Sequence, residues 1–215
     1  MKKFSSVLLA TCLAALAAPL SATVLIVTPT PTVSGSGPYT WTYDVSLGVN
    51  SVLNPQGTPC PATAPVGASC DGLLTIYDFG QYIPGTEFSP VGWTFLGGNN
   101  LGVTPIGIIP GSNVASVDSP YQVNLSWAYT GNSSIAAIGG DLLLGQFGAM
   151  SNSNIPVETE FTGRSFRQVS GQPLQRSVNL DVTTAPSSVP EPTTSLLMGA
   201  GLLGLAFFRK RFGQK

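Results

Sequence analysis

Two glutamates have the one spacing in this sequence that suits bond-breaking chemistry. Glu158 and Glu160 lie two residues apart in the run Val157-Glu158-Thr159-Glu160-Phe161. On a β-strand both carboxylates would point to the same face, ~7 Å apart. Hydrolysis of a glycoside can run on two acids alone, set roughly 5–9.5 Å apart. The alternation of the glutamates with Val157 and Phe161 supports a plainer account, in which two charges lie on the solvated face of an amphipathic strand. That account is the expectation, and it leaves the chain with no assigned catalytic residue.

Other chemistries lack their reagents. The 215 residues contain no histidine. A Ser–His–Asp triad is therefore excluded, and a catalytic zinc site loses its imidazole ligands. Three cysteines are present, Cys12, Cys60 and Cys70. Cys12 falls inside an N-terminal apolar run, which leaves Cys60 and Cys70 as an even pair that reads as a disulfide in an exported chain. Asp71, Asp78, Asp118 and Asp141 are scattered and form no calcium-loop pattern. No glycine-rich phosphate loop opens a helix. No metal and no cofactor are expected. Of the three tryptophans, Trp41 and Trp127 fall in phase with apolar neighbours and belong in a core. Trp93, between Gly92 and Thr94, is the candidate for an exposed ring that stacks on a sugar.

Charge narrows the partners. Between Thr23 and Ser188, nine acidic residues face three arginines, Arg164, Arg167 and Arg176, for a net charge of −6. Such a body has nothing with which to neutralise phosphates, so nucleic acid is excluded as a partner. The remaining basic residues sit at the two ends of the chain.

The residues between the ends read as strands and turns. In Tyr39-Thr40-Trp41-Thr42-Tyr43-Asp44-Val45-Ser46-Leu47 every odd position is apolar and every even one polar. A strand sends alternate side chains to opposite faces, so this segment predicts one buried aromatic face. Val123 to Thr130 repeats the pattern, with Val123, Leu125, Trp127 and Tyr129 inward. Further strands are expected over residues 23–27, 73–79, 92–96, 141–147, 157–166 and 176–183, about eight in all. Turn residues such as Pro110-Gly111-Ser112 separate them. The segment from Asn54 to Asp71 contains Pro55, Pro59, Pro61 and Pro65 and reads as a loop closed by the Cys60–Cys70 bond. The fold class is all-β, an antiparallel β-sandwich or jelly-roll-like ectodomain spanning residues 23–183. Residues 184–188 read as a short polar linker.

The ends read as addresses. Met1-Lys2-Lys3, an apolar run from Val7 to Ala18, and Pro19-Leu20-Ser21-Ala22 have the order of a signal peptide, residues 1–22. At the other end Val189-Pro190-Glu191-Pro192 precedes an apolar stretch over residues 193–208 and then Arg209-Lys210-Arg211. The flanking prolines keep Glu191 in an extended, accessible segment. The apolar stretch would reach roughly 24 Å as a helix, enough to span a thinned bilayer with Arg209 snorkelling. The basic cluster within the tail 209–215 stops transfer and marks the cytoplasmic side.

Together these three elements resemble the PEP-CTERM sorting signal of Gram-negative bacteria, over residues 189–215. The resemblance implies exosortase, a membrane-embedded cysteine transpeptidase, as a transient processing partner. It also implies a setting of exopolysaccharide and biofilm. The strand segments Asp71–Gly80, Gly92–Phe95 and Asn124–Trp127 resemble ectodomains of other PEP-CTERM proteins, a likeness that brings no activity with it. The expected function is a non-enzymatic cell-surface or extracellular-matrix protein, anchored in the inner membrane through residues 193–208 before processing. The alternative is a module that binds extracellular polysaccharide, and the third reading is the acid-pair glycosidase.

Overall fold

The computed structural model describes residues 24–54, 72–96, 119 and 121–188. The expected signal peptide, the Cys60–Cys70 pair, Asp71, Asp118 and the sorting segment with Val189–Pro192, residues 193–208 and Arg209–Arg211 lie outside the described residues. Among the described residues every regular element is a strand. In chain order they are β1 (Leu25–Val27), β2 (Thr32–Ser34), β3 (Tyr39–Leu47), β4 (Ser51–Leu53), β5 (Leu73–Phe79), β6 (Trp93–Phe95), β7 (Val123–Tyr129), β8 (Ile135–Ala136), β9 (Leu142–Ser151), β10 (Pro156–Arg167) and β11 (Gln175–Pro186).

The strands form two antiparallel sheets. In the first, β3 is the central strand. β9 runs along one side of it, from Tyr39 opposite Ser151 to Leu47 opposite Leu142. β1 and β2 share the other side, opposite Val45–Leu47 and Thr40–Thr42. The second sheet has the order β6-β7-β5-β10-β4-β8. β11 pairs with β10 from end to end, Pro156 opposite Pro186 and Arg167 opposite Gln175.

The alternation in β3 does what the pleat requires. Trp41, Tyr43, Val45 and Leu47 are completely buried, while Asp44 between them is exposed. They face Leu74, Ile76, Leu125, Trp127 and Phe161 of the second sheet in one apolar cluster. Aromatic edge-to-face contacts join the two layers. Phe147 of β9 meets Trp127 at 5.6 Å and Trp93 at 5.1 Å between ring centroids, and Trp41 of β3 meets Phe79 of β5 at 6.4 Å. These are the offset geometries that ring quadrupoles favour. The arrangement is sandwich-like, as the alternation implied.

Close approach between the layers depends on Gly163 in β10. A Cβ there would come within 2.5 Å of the Leu25 Cβ and 2.7 Å of the Asn179 Oδ1. That Asn179 side chain accepts from the Leu25 N–H at 3.1 Å and donates to the Leu25 carbonyl at 2.8 Å. It thereby ties the first strand of one sheet to the last strand of the other.

β7 departs from its sequence pattern. Its polar positions Asn124 and Ser126 are as buried as Leu125 and Trp127. Hydrogen bonds make this tolerable, because a buried polar group with a partner avoids most of its desolvation cost. Ser126 Oγ lies 2.9 Å from Thr75 Oγ1, and Asn124 Oδ1 accepts from the Asp78 N–H at 2.9 Å. β9, β10 and β11 also extend beyond their expected bounds, and β2, β4 and β8 are additional short strands.

The candidate carboxylates and the junction with the sorting signal

Glu158 and Glu160 share one face of β10, opposite Thr184 and Val182 of β11. Glu158 is exposed and Glu160 half-buried. One carboxylate oxygen of Glu160, Oε2, is enclosed without a hydrogen-bond partner. Val157 beside them is 38 % exposed. The reason is that β5 pairs with β10 only from Phe161 onward, so the first residues of β10 overhang the core. The pair therefore sits on adjacent positions of one strand flank.

The aromatic candidate is corrected. Trp93 is 8 % exposed and belongs to the core. Its ring is held between Tyr129 at 5.6 Å and Phe147 at 5.1 Å. Both contacts are edge-on, and a ring this deeply buried in the core is not the exposed one that stacking on a sugar requires.

The described aspartates are spread through the fold. Asp141 Oδ1 accepts from the Val49 N–H at 2.8 Å, at the turn after β3. Asp44 Oδ1 accepts from the Gln146 side chain at 3.1 Å. Asp78 lies at the far end of β5, at a register shift between Ile76 and Phe79. Its φ is 52°, and its carboxylate accepts from the Ser119 N–H at 2.9 Å. Among the described residues no three acidic or cysteine side chains come together as a metal-binding group.

Burial pushes the Asp78 carboxyl above its ordinary value, and the Ser119 N–H pulls it partly back. The folded body thus holds this proton to higher pH than the unfolded chain does. Its contribution favours folding on the acid side and is lost as pH rises from the ordinary aspartate range through the raised folded value. Asp78→Asn should remove that slope. Denaturant midpoints measured from pH 3 to 7 should fall more steeply with rising pH in the native sequence than in the variant. Parallel profiles would reject the assignment.

The C-terminal end of the body is built more tightly than a linker. β11 continues through residues 184–186, pairing with Glu158, Val157 and Pro156. The Tyr43 hydroxyl, deep in the core, donates to the Thr184 carbonyl at 2.9 Å, and burial raises the pKa of that hydroxyl. Pro186 O accepts from the Gly80 N–H at 3.0 Å, and the Ser187 N–H donates to Ile155 O at 2.8 Å. Gly80 has no alternative here, since a Cβ would lie 2.4 Å from both the Ser187 carbonyl carbon and the Ser188 nitrogen. The fold therefore grips the chain up to Ser187, a feature the polar letters of Thr184, Ser187 and Ser188 concealed.

Immediately beyond that grip, residues 188–211 match the family model of the PEP-CTERM protein-sorting motif. The chain carries a PEP-CTERM sorting signal. The match begins at Ser188, the residue after the last clamped one. No curated protein and no solved structure matches the chain. A PEP-CTERM motif is the mark of an exported protein that exosortase processes and that is membrane-anchored before release. The body that precedes it is the all-β sandwich described above.

Proposed function

We propose that this PEP-CTERM chain is a non-enzymatic protein of the cell surface or extracellular matrix. A signal peptide, residues 1–22, directs export. Residues 193–208 hold the intermediate in the inner membrane, exosortase cuts at or near residues 189–192, and the β-sandwich is left outside in a setting of exopolysaccharide. The observation that carries this reading is the sorting motif at residues 188–211, which follows directly on the backbone bond that ties Ser187 to the sandwich. A body without histidine, with Glu158 and Glu160 on one strand flank, supports a structural role over a catalytic one.

Mass spectrometry of the protein collected from the cell surface and medium tests the processing. The expected form begins near Thr23 and ends within residues 189–192. A surface form still ending at Lys215, in cells with active exosortase, would reduce the tail to a plain anchor. The non-enzymatic reading is tested separately. Turnover of a polysaccharide that disappears in Glu158→Gln or Glu160→Gln would replace it with the glycosidase.

A further inference from the structure

The end of β11 sits in a receptor held by buried serines. Ser151 Oγ donates to the Gly80 carbonyl at 2.8 Å, and the Ile155 N–H donates to Ser153 Oγ at 3.2 Å. The Ser153 carbonyl in turn accepts from Trp41 Nε1 at 2.9 Å. Ser151 and Ser153 are both buried. Gly80 and Ile155, whose backbones bond Pro186 and Ser187, are therefore fixed from the core side.

The segment that they hold is fixed less firmly. Pro156 and Pro186 face each other across β10 and β11. Neither has an N–H to give, so the strand ladder contributes no bond there. The apolar side chains that residues 184–187 bury are those of Ala185 and Pro186. One residue upstream, Thr183 is buried and its Oγ1 donates to the Thr28 carbonyl at 2.9 Å. A strand end held by a few hydrogen bonds and little apolar contact opens at lower cost than the whole domain unfolds.

This end lies close to the cut. Ser187 is buried and Ser188 exposed, and residues 188–192 are all that separate Ser187 from the apolar stretch of the sorting signal. An enzyme that cuts a folded chain acts on its locally opened form, in proportion to the population of that form when opening is fast. For a cut at or near residues 189–192, the chain on the body side of the bond is Ser188 and then the clamped residues 184–187.

We propose that residues 184–187 form a latch that leaves the sandwich before the sorting signal is cut, so that the stability of this one strand end sets how fast the folded body is processed. The latch rests on the processing reading above and adds to it a control built into the body.

The test is the rate at which precursor is shortened, followed by pulse-chase in cells with active exosortase. Tyr43→Phe keeps the ring and removes the bond to the Thr184 carbonyl, so shortening should be about fivefold faster. Gly80→Ala drives a methyl group against Pro186, Ser187 and Ser188 and should be faster still. Val52→Ala weakens the core where β4 meets the far end of β10, and it should leave the rate as it is. A flexible Gly-Ser spacer of about six residues between Ser187 and Ser188 supplies free chain on the body side. It should speed shortening by itself and leave Tyr43→Phe and Gly80→Ala without further effect. Should Gly80→Ala fail to fold, Tyr43→Phe with and without the spacer decides the matter. Equal rates for the native chain and Tyr43→Phe, or an equal gain from Val52→Ala, would overturn the latch and leave the processing reading standing. No shortening in any form, the spacer form included, would refute the processing reading and the latch with it.

Discussion

Replacing Trp41 with aspartate is expected to leave no folded body. Trp41, the third residue of β3, is completely buried. Its ring meets Phe79 edge-on across the sandwich, and its Nε1 donates to the Ser153 carbonyl at 2.9 Å. Emptying a buried tryptophan site costs about 3–5 kcal/mol through lost transfer and cavity formation. The new carboxylate adds the desolvation of a charge with no partner, and the Ser153 carbonyl loses its donor. A domain of this size is stable by roughly 5–15 kcal/mol in total, so the sum removes most or all of it. Trp41→Phe is the informative companion. It keeps the apolar volume approximately and gives up the hydrogen bond, at a cost of about 1–3 kcal/mol. The phenylalanine form should remain folded with a lower melting temperature, and the aspartate form should be lost to aggregation or proteolysis. A soluble Trp41→Asp body with native circular dichroism would refute the packing of β3 against the second sheet.

The contrast between these two substitutions also marks what the sequence made legible. β3 and β5 begin and end where the letters alone placed them, because alternation or a dense apolar run is bounded there by turn residues. β2, β4 and β8, of two or three residues, are too short to show a period, and only their partners define them, whereas the equally short β1 and β6 lie inside the expected runs 23–27 and 92–96. The burial of Trp93 is hidden from the sequence for a related reason. Its own neighbours are Gly92 and Thr94, and the residues that enclose it, Tyr129 and Phe147, lie on strands far away in sequence. Polarity misled at residues 184–188. Thr184 and Ser187 look like linker residues, yet the core reaches them through their backbone atoms, which no side-chain pattern records. The sorting motif was legible because its recognition depends on local order along the chain, namely prolines, apolar run and basic cluster.

Changing Pro190-Glu191-Pro192 to three alanines is expected to leave export and folding intact and to abolish processing. Among the described residues the last backbone bond of the body is made by Ser187, and all three substitutions fall beyond it. Proline disfavours helix at its own position and just before it, so in the proposed processing Pro190 and Pro192 present this segment as an extended substrate. Three alanines would instead favour helix in this segment, because alanine is the strongest helix former. The cut site would then be withdrawn into a helix while the proposed membrane hold through residues 193–208 is unchanged. Full-length precursor should become the main form in the inner membrane fraction, and the released form should disappear. Neutralising Arg209, Lys210 and Arg211 separates the anchor from the cut. Each of those charges costs ~2.5–3.5 kcal/mol to place at the centre of a bilayer on the insertion scale. Without them the stop is weakened and the tail should slip outward, so that uncut chain appears outside the membrane. The two variants thus fail in opposite compartments. Equal amounts of released, shortened protein from the alanine variant and the native chain would mean that recognition lies outside the tetrapeptide.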